Sequence, residues 1–184
     1  MYKTVVFDLD GTLLNTLTDL ADAGNRLCRK YGWPTHERQA YRYFVGNGIP
    51  KLVERLAPAD QRTPAVLEAA LADFKRDYGQ HLRDTTAPYP GIPEMLAKLK
   101  ANGVQLAVFS NKADALAKEV VKDYFGTQYF TIVRGQMTGV APKPAAEGTN
   151  ALLQALHADP ASTLYVGDSN VCLLYTSDAA DDSL

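Results

Sequence analysis

Val5, Val6 and Phe7 form a near-continuous apolar run that breaks at Gly11. That pattern predicts a short central strand of a parallel sheet, covered on both faces. Beyond it, Leu17, Leu20, Ala21, Gly24, Leu27, Cys28 and Tyr31 recur at helical spacing, and Gly32 and Pro34 predict the end of that helix. A second helical stripe (Ile49, Leu52, Val53, Leu56) stops near Pro58, and a third runs through Val66, Leu67, Ala70, Leu71, Phe74 and Tyr78. No strand signal separates the three, which predicts a helical cap inserted after the first strand. Thr85, Thr86, Ala87 and Pro88 read as a linker out of that block.

From there strands and helices alternate. Ile92, Met95, Leu96 and Leu99 predict a helix ended by Asn102 and Gly103, and Gln105 to Ser110 a strand. Leu116, Ala117, Val120, Val121 and Tyr124 predict the next helix, Tyr129 to Val133 a strand, Leu152, Leu153 and Leu156 a helix, and Thr163 to Val166 a last strand. Such alternation predicts an α/β fold of right-handed βαβ units around a parallel sheet.

Composition narrows the classes. The 184 residues suffice for one core domain plus an insertion, and 46% hydrophobic with 22% charged residues is ordinary for a globular chain. A formal net charge of −2 offers no basic surface for nucleic acid. No apolar run is long enough to span a bilayer, and Asp8 follows the start too soon for a signal-peptide apolar region. Cys28 and Cys172 are far apart and make no metal-spaced pair, which fits a reduced, cytoplasmic setting; Cys28 falls on the apolar face of its helix and reads as core.

The candidate chemistry sits at predicted strand ends. Asp8 and Asp10 follow the first run at its C-terminal end, where open α/β sheets bind ligands. Strand alternation would send both carboxylates to one side, where they repel until a cation relieves them. Ser110 and Asn111 close the strand Val108-Phe109 ahead of a predicted helix. A hydroxyl followed by helix-start N–H groups suits a phosphate, although either residue also reads as a plain N-cap. Lys143, between Pro142 and Pro144, is a cation suited to bridging a carboxylate and a phosphoryl oxygen. Asp168 ends the strand Tyr165-Val166-Gly167 and could complete an oxygen-rich Mg²⁺ site.

The string Asp8-Leu9-Asp10-Gly11-Thr12-Leu13, followed in order by Ser110, Lys143 and Gly167-Asp168-Ser169, resembles the four motifs of the haloacid dehalogenase-like (HAD) hydrolases. The resemblance covers residues 1 to about 171 and implies a Rossmann-like core over 1–14 and 88–171, with an α-helical cap over 15–87. It implies a phosphatase in which Asp8 is the nucleophile, Asp10 the general acid/base, and Ser110 and Lys143 hold the transferring phosphoryl group. Asp8, the backbone carbonyl of Asp10 and Asp168 would bind Mg²⁺, and Thr12 and Asn111 would meet the substrate. Within the family, the segment Phe44 to Val53, with Gly46, Asn47 and Gly48, resembles the cap of phosphoglycolate phosphatases. That implies a small phosphorylated substrate such as 2-phosphoglycolate. Sugar-phosphate phosphatases, a mutase and pyrophosphatases share the scaffold, as would an inactive domain that only binds Mg²⁺ or ligand. Neither nucleic acid nor membrane enters this reading, and it sets no oligomeric state.

The chain departs from the family pattern after Asp168. Where a second acid is expected stands Cys172, a poor partner for Mg²⁺, and residues 172–184 carry no strand or helix pattern. The run Cys172 to Asp181 resembles translated sequencing-adapter read-through. The expectation is a C-terminally truncated frame, missing closing strands, poorly stable and weakly active or inactive.

Overall fold

A computed structural model describes residues 2–168. Cys172 and the tail, with every expectation attached to them, lie outside the described residues. The described chain divides into two compact units, one comprising residues 2–14 and 88–168, the other Asn15–Ala87. Two-residue strands, β2 (Leu14–Asn15) and β3 (Ala87–Pro88), pair where the chain passes between units.

The first unit is a four-stranded parallel sheet. β1 (Thr4–Phe7) lies inside it, paired with β4 (Gln105–Ala113) on one side and β6 (Thr163–Val166) on the other. β5 (Ile132–Gln136) extends the sheet beyond β4, giving the order β5-β4-β1-β6. All four residues of β1 are buried, so both faces of this strand are covered, as its apolar run requires. On one face Val6, Ala107 and Phe109 pack with Leu152 and Leu156 of α7 (Ala146–Leu156). Two further helices, α5 (Ile92–Ala101) and α6 (Asp114–Phe125), pack on β4, and α6 also reaches β5. The sheet and its helices are an α/β fold with helices against a parallel sheet.

The second unit is helical: α1 (Leu17–Tyr31), α2 (Tyr41–Phe44), α3 (Ile49–Leu56) and α4 (Pro64–His81), with short 3₁₀ turns at Arg38–Ala40 and Ala59–Gln61. α1 ends on Gly32 in the left-handed region (φ 69°), whose N–H returns to the carbonyl of Arg29. Gly24 of α1 leaves room for Tyr41, since a Cβ there would meet the Tyr41 ring at 2.6 Å. α2 has no counterpart in the hydrophobic spacing; its four residues are too few to show a stripe. No helix among the described residues is long and apolar enough to cross a membrane.

Two strands differ from the expected spans. β4 continues three residues past Ser110 to Ala113, because Ala113 pairs with Gln136 of β5 after a register shift that begins at Phe109. β5 starts at Ile132 and runs to Gln136, three residues later than the apolar run from Tyr129 suggests. Phe130, inside that run, packs edge-on against Phe125 at 6.0 Å between centroids and pairs with no strand.

Candidate active site

The site forms where β1 and β6 end, beside β4, which runs on to Ala113. Phe7 lies opposite Val108 and Val166, and the N–H of Asp8 still donates to the carbonyl of Val166 at 2.8 Å. β1 then stops. The N–H groups of Leu13 and Leu14 both donate to the carbonyl of Leu9, and Gly11 takes φ 82° in the turn. Asp8 and Asp10 therefore leave the sheet on a tight turn, and regular strand alternation does not relate their side chains.

Each acid meets its own lysine. Lys143, 4% exposed, sets its Nζ 2.9 Å from Asp8 Oδ1 and donates to the carbonyl of Phe109 at 2.8 Å. Asp8 Oδ1 also accepts from the N–H of Leu9 at 2.7 Å. Lys112, 6% exposed, places its Nζ 3.0 Å from Asp10 Oδ1. A buried ammonium is costly unless paired, so each of these contacts both neutralises an acid and satisfies a lysine.

Ser110 and Asn111 hold the lysines in place. Ser110 is buried and its Oγ accepts from the N–H of Lys112 at 3.1 Å. The Asn111 side chain grips the main chain of Lys143 from both sides: Nδ2 donates to its carbonyl at 3.2 Å and Oδ1 accepts from its N–H at 2.8 Å. The Lys143–Pro144 peptide is cis. Helix α6 starts only at Asp114, so Ser110 does not stand at a helix N-terminus; the extended β4 intervenes.

Asp168, exposed as a residue, sets its carboxylate against Gly11, where a Cβ would strike it. Burial of the carboxyl, then the negative charges of Asp8 and Asp10, push its pKa up, with Lys143 opposing. Carboxylate oxygens are the donors that a hard cation takes. Among the described residues, no three His, Cys, Asp or Glu side chains are gathered to hold a metal ion. The Asp10 side chain turns to Lys112, so of the three acids only Asp8 and Asp168 remain to offer side chains, with the main chain of Asp10 as third donor. The donor set is hard oxygen throughout, which suits Mg²⁺. Thr12 lies in the same turn with its Oγ1 buried and without a hydrogen-bond partner among the described residues.

Gly46, Asn47 and Gly48 belong to the helical unit. Gly46 (φ 111°) and Gly48 (φ 84°) occupy backbone conformations that L side chains rarely adopt, and Arg55 of α3 holds the loop from within. It donates to the carbonyls of Tyr43 and Phe44 and, at 2.9 Å, to Asn47 Oδ1.

Sequence reasoning assigned Lys112 no role. The available signal was a lysine two residues after Ser110, which itself follows the apolar run Leu106 to Phe109, a charge that requires an acid partner if the chain there is buried.

The family model for haloacid dehalogenase-like hydrolases matches residues 5–173. The chain belongs to that family. Among its HAD relatives, a phosphoglycolate phosphatase of Thiobacillus denitrificans is 32% identical over 170 residues, spanning 91% of this chain and 75% of the relative. One from Neisseria meningitidis is 34% identical, spanning 91% and 72%. A crystal structure described as a predicted phosphoglycolate phosphatase from Haemophilus somnus superposes with a TM-score of 0.86 at 26% identity, covering 97% of this chain and 82% of the other. The chain is an HAD-type phosphatase similar to the phosphoglycolate phosphatases.

Proposed function

We propose that this chain is a Mg²⁺-dependent phosphomonoesterase acting on 2-phosphoglycolate through an aspartyl-phosphate, with residues 15–87 as its cap. The observation that carries the reading is the buried pair of Asp8 and Lys143, 2.9 Å apart at the C-terminal end of β1, with Asp10 two residues on. In the first half-reaction an Asp8 oxygen bonds to phosphorus, the ester P–O bond breaks, and Asp10 gives its proton to the leaving alkoxide. In the second, Asp10 takes a proton from water as the water oxygen attacks the same phosphorus, releasing inorganic phosphate and regenerating Asp8. Lys143 and Ser110 stand against the charge on the phosphoryl oxygens, the positioning and neutralisation that phosphoryl transfer requires.

Mg²⁺, held by Asp8, Asp168 and the main-chain oxygen of Asp10, would supply further neutralisation of that charge. Gly46, Asn47 and Gly48 are assigned to recognition of the small carboxylated end of the substrate, and Thr12 and Asn111 to the phosphate side. The resemblance supports a cytoplasmic enzyme.

Asp8→Asn keeps the size of the side chain and removes the nucleophile. The expected loss in kcat/KM on 2-phosphoglycolate is at least about 1,000-fold. Unchanged turnover in that variant overturns the mechanism. In a panel of small sugar phosphates and aryl phosphates, 2-phosphoglycolate is expected to rank first by kcat/KM. A place among the poorest substrates overturns the assignment of substrate while leaving the phosphatase intact.

A further inference from the structure

We infer that Lys112 is the positioning residue for the acid/base Asp10, giving that carboxylate a lysine of its own, separate from the one that serves the phosphoryl group. The inference rests on the role given to Asp10 above.

The site contains two buried lysines and they are not interchangeable. Lys143 touches Asp8, the carbonyl of Phe109 and, at 5.6 Å from the centroid, the Phe109 ring. Lys112 approaches Asp10 from β4. Its direction follows from the irregularity of that strand. Between Phe109 and Ala113 the register with β5 shifts, so residues 110–112 do not continue the regular alternation of the ladder. Within this stretch Asn111 turns to the Lys143 loop and Lys112 to the turn after β1. Two contacts pin the main chain of Lys112 there. Its N–H donates to Ser110 Oγ, and its carbonyl lies against Gly135 of β5, where a Cβ would collide with it. Gly135 is tied in turn to Asp114 by its N–H at 2.9 Å.

A carboxylate on a turn outside the sheet has two free torsions. Anchoring Oδ1 to a buried, main-chain-fixed ammonium removes that freedom and presents the group in one orientation for proton exchange with the ester oxygen. A lysine that only stabilised the fold would do the same for no particular substrate. One that acts through the general acid matters most where the leaving group needs a proton, an alkoxide, and least where it does not, a nitrophenolate.

The test compares kcat/KM, which reports the steps through loss of the alcohol, on 2-phosphoglycolate and on p-nitrophenyl phosphate. For Lys112→Met the expected loss is about 10–100-fold on 2-phosphoglycolate and less than about 3-fold on p-nitrophenyl phosphate. Asp10→Asn is expected to show the same selective pattern, and the double variant to be no worse than Asp10→Asn alone. Equal losses on both esters for Lys112→Met, or additive losses in the double variant, overturn the inference and leave the reading of Asp10 standing. Equal losses for Asp10→Asn overturn that reading and the inference with it. Should Lys112→Met fail to fold, Lys112→Arg keeps the charge but displaces the donor. A selective loss on 2-phosphoglycolate there supports the inference, and an even loss or none overturns it.

Discussion

Cys28 shows what burial does to a single side chain in this protein. It lies on the inner face of α1, fully buried, and burial pushes its thiol from the ordinary 9.0 up to about 11, against the favourable charge of Arg29. The folded thiol keeps its proton at pH values where the unfolded one has lost it. Its contribution to stability is therefore complete below about pH 9 and is lost as the pH rises through about 11, on the order of 2 kcal/mol in all. The urea midpoint of the natural chain should exceed that of Cys28→Ala by more at pH 8 than at pH 10.5. A gap that does not change with pH would show that the thiol titrates alike in the folded and unfolded chains. The raised value also predicts slow alkylation of Cys28 in the folded protein at pH 8, since the thiolate is the nucleophile.

Among the elements, α1 depends on an anchor that no hydrophobic pattern reveals. Asp19, in its first turn and buried, accepts from the N–H and hydroxyl of both Thr85 and Thr86; the Thr86 bonds are 2.9 and 2.7 Å. One carboxylate thus satisfies four donors of the segment that follows α4. Asp19→Ala leaves two main-chain N–H groups and two hydroxyls short of a partner, a loss of about 2–4 kcal/mol. In a chain of this size that lowers the melting temperature by roughly 5–12 °C. A thermal melt followed by circular dichroism measures it, and a fall of under a degree would mean that water replaces the carboxylate without cost. Among the strands, β4 matters beyond its ladder, because its irregular end carries Lys112, which reaches Asp10, and Ser110 and Asn111, which hold the main chains of Lys112 and Lys143.

For the whole molecule, the pairing of acids with lysines separates folding from metal binding. Lys143 stands against Asp8 and Lys112 against Asp10, so the sheet is expected to fold without a cation. Chelation with EDTA is expected to abolish turnover of 2-phosphoglycolate while leaving the circular dichroism spectrum unchanged, and added Mg²⁺ to restore activity. A bound ion favours the folded state, so the melt should also rise with Mg²⁺ concentration. Full activity in EDTA would remove Mg²⁺ from the mechanism, and collapse of the spectrum would give it a structural role instead.

Elements whose sides face one consistent environment were legible in the chain itself. β1 carries the apolar run Val5-Val6-Phe7 because both its faces are covered, and α1, α3 and α4 bury one stripe each, so alternation and spacing place them closely. β6 falls at Thr163–Val166, the span its apolar run predicts. The motif residues Asp8, Asp10, Ser110, Lys143 and Asp168 were named through the resemblance of their types and order to the HAD motifs. What the linear pattern could not carry is how distant segments pair. β5 begins at Ile132 because Phe130 is drawn to Phe125, a choice made by packing and not by local hydrophobicity. β4 runs on to Ala113 because a residue 23 positions later supplies its partner. Asn111 holds Lys143, Asp19 holds Thr85 and Thr86, and Lys112 finds Asp10 from 102 residues away. Each is a buried or half-buried polar group whose partner is chosen by the fold, and a polar residue in a sequence says only that it needs a partner, never which one.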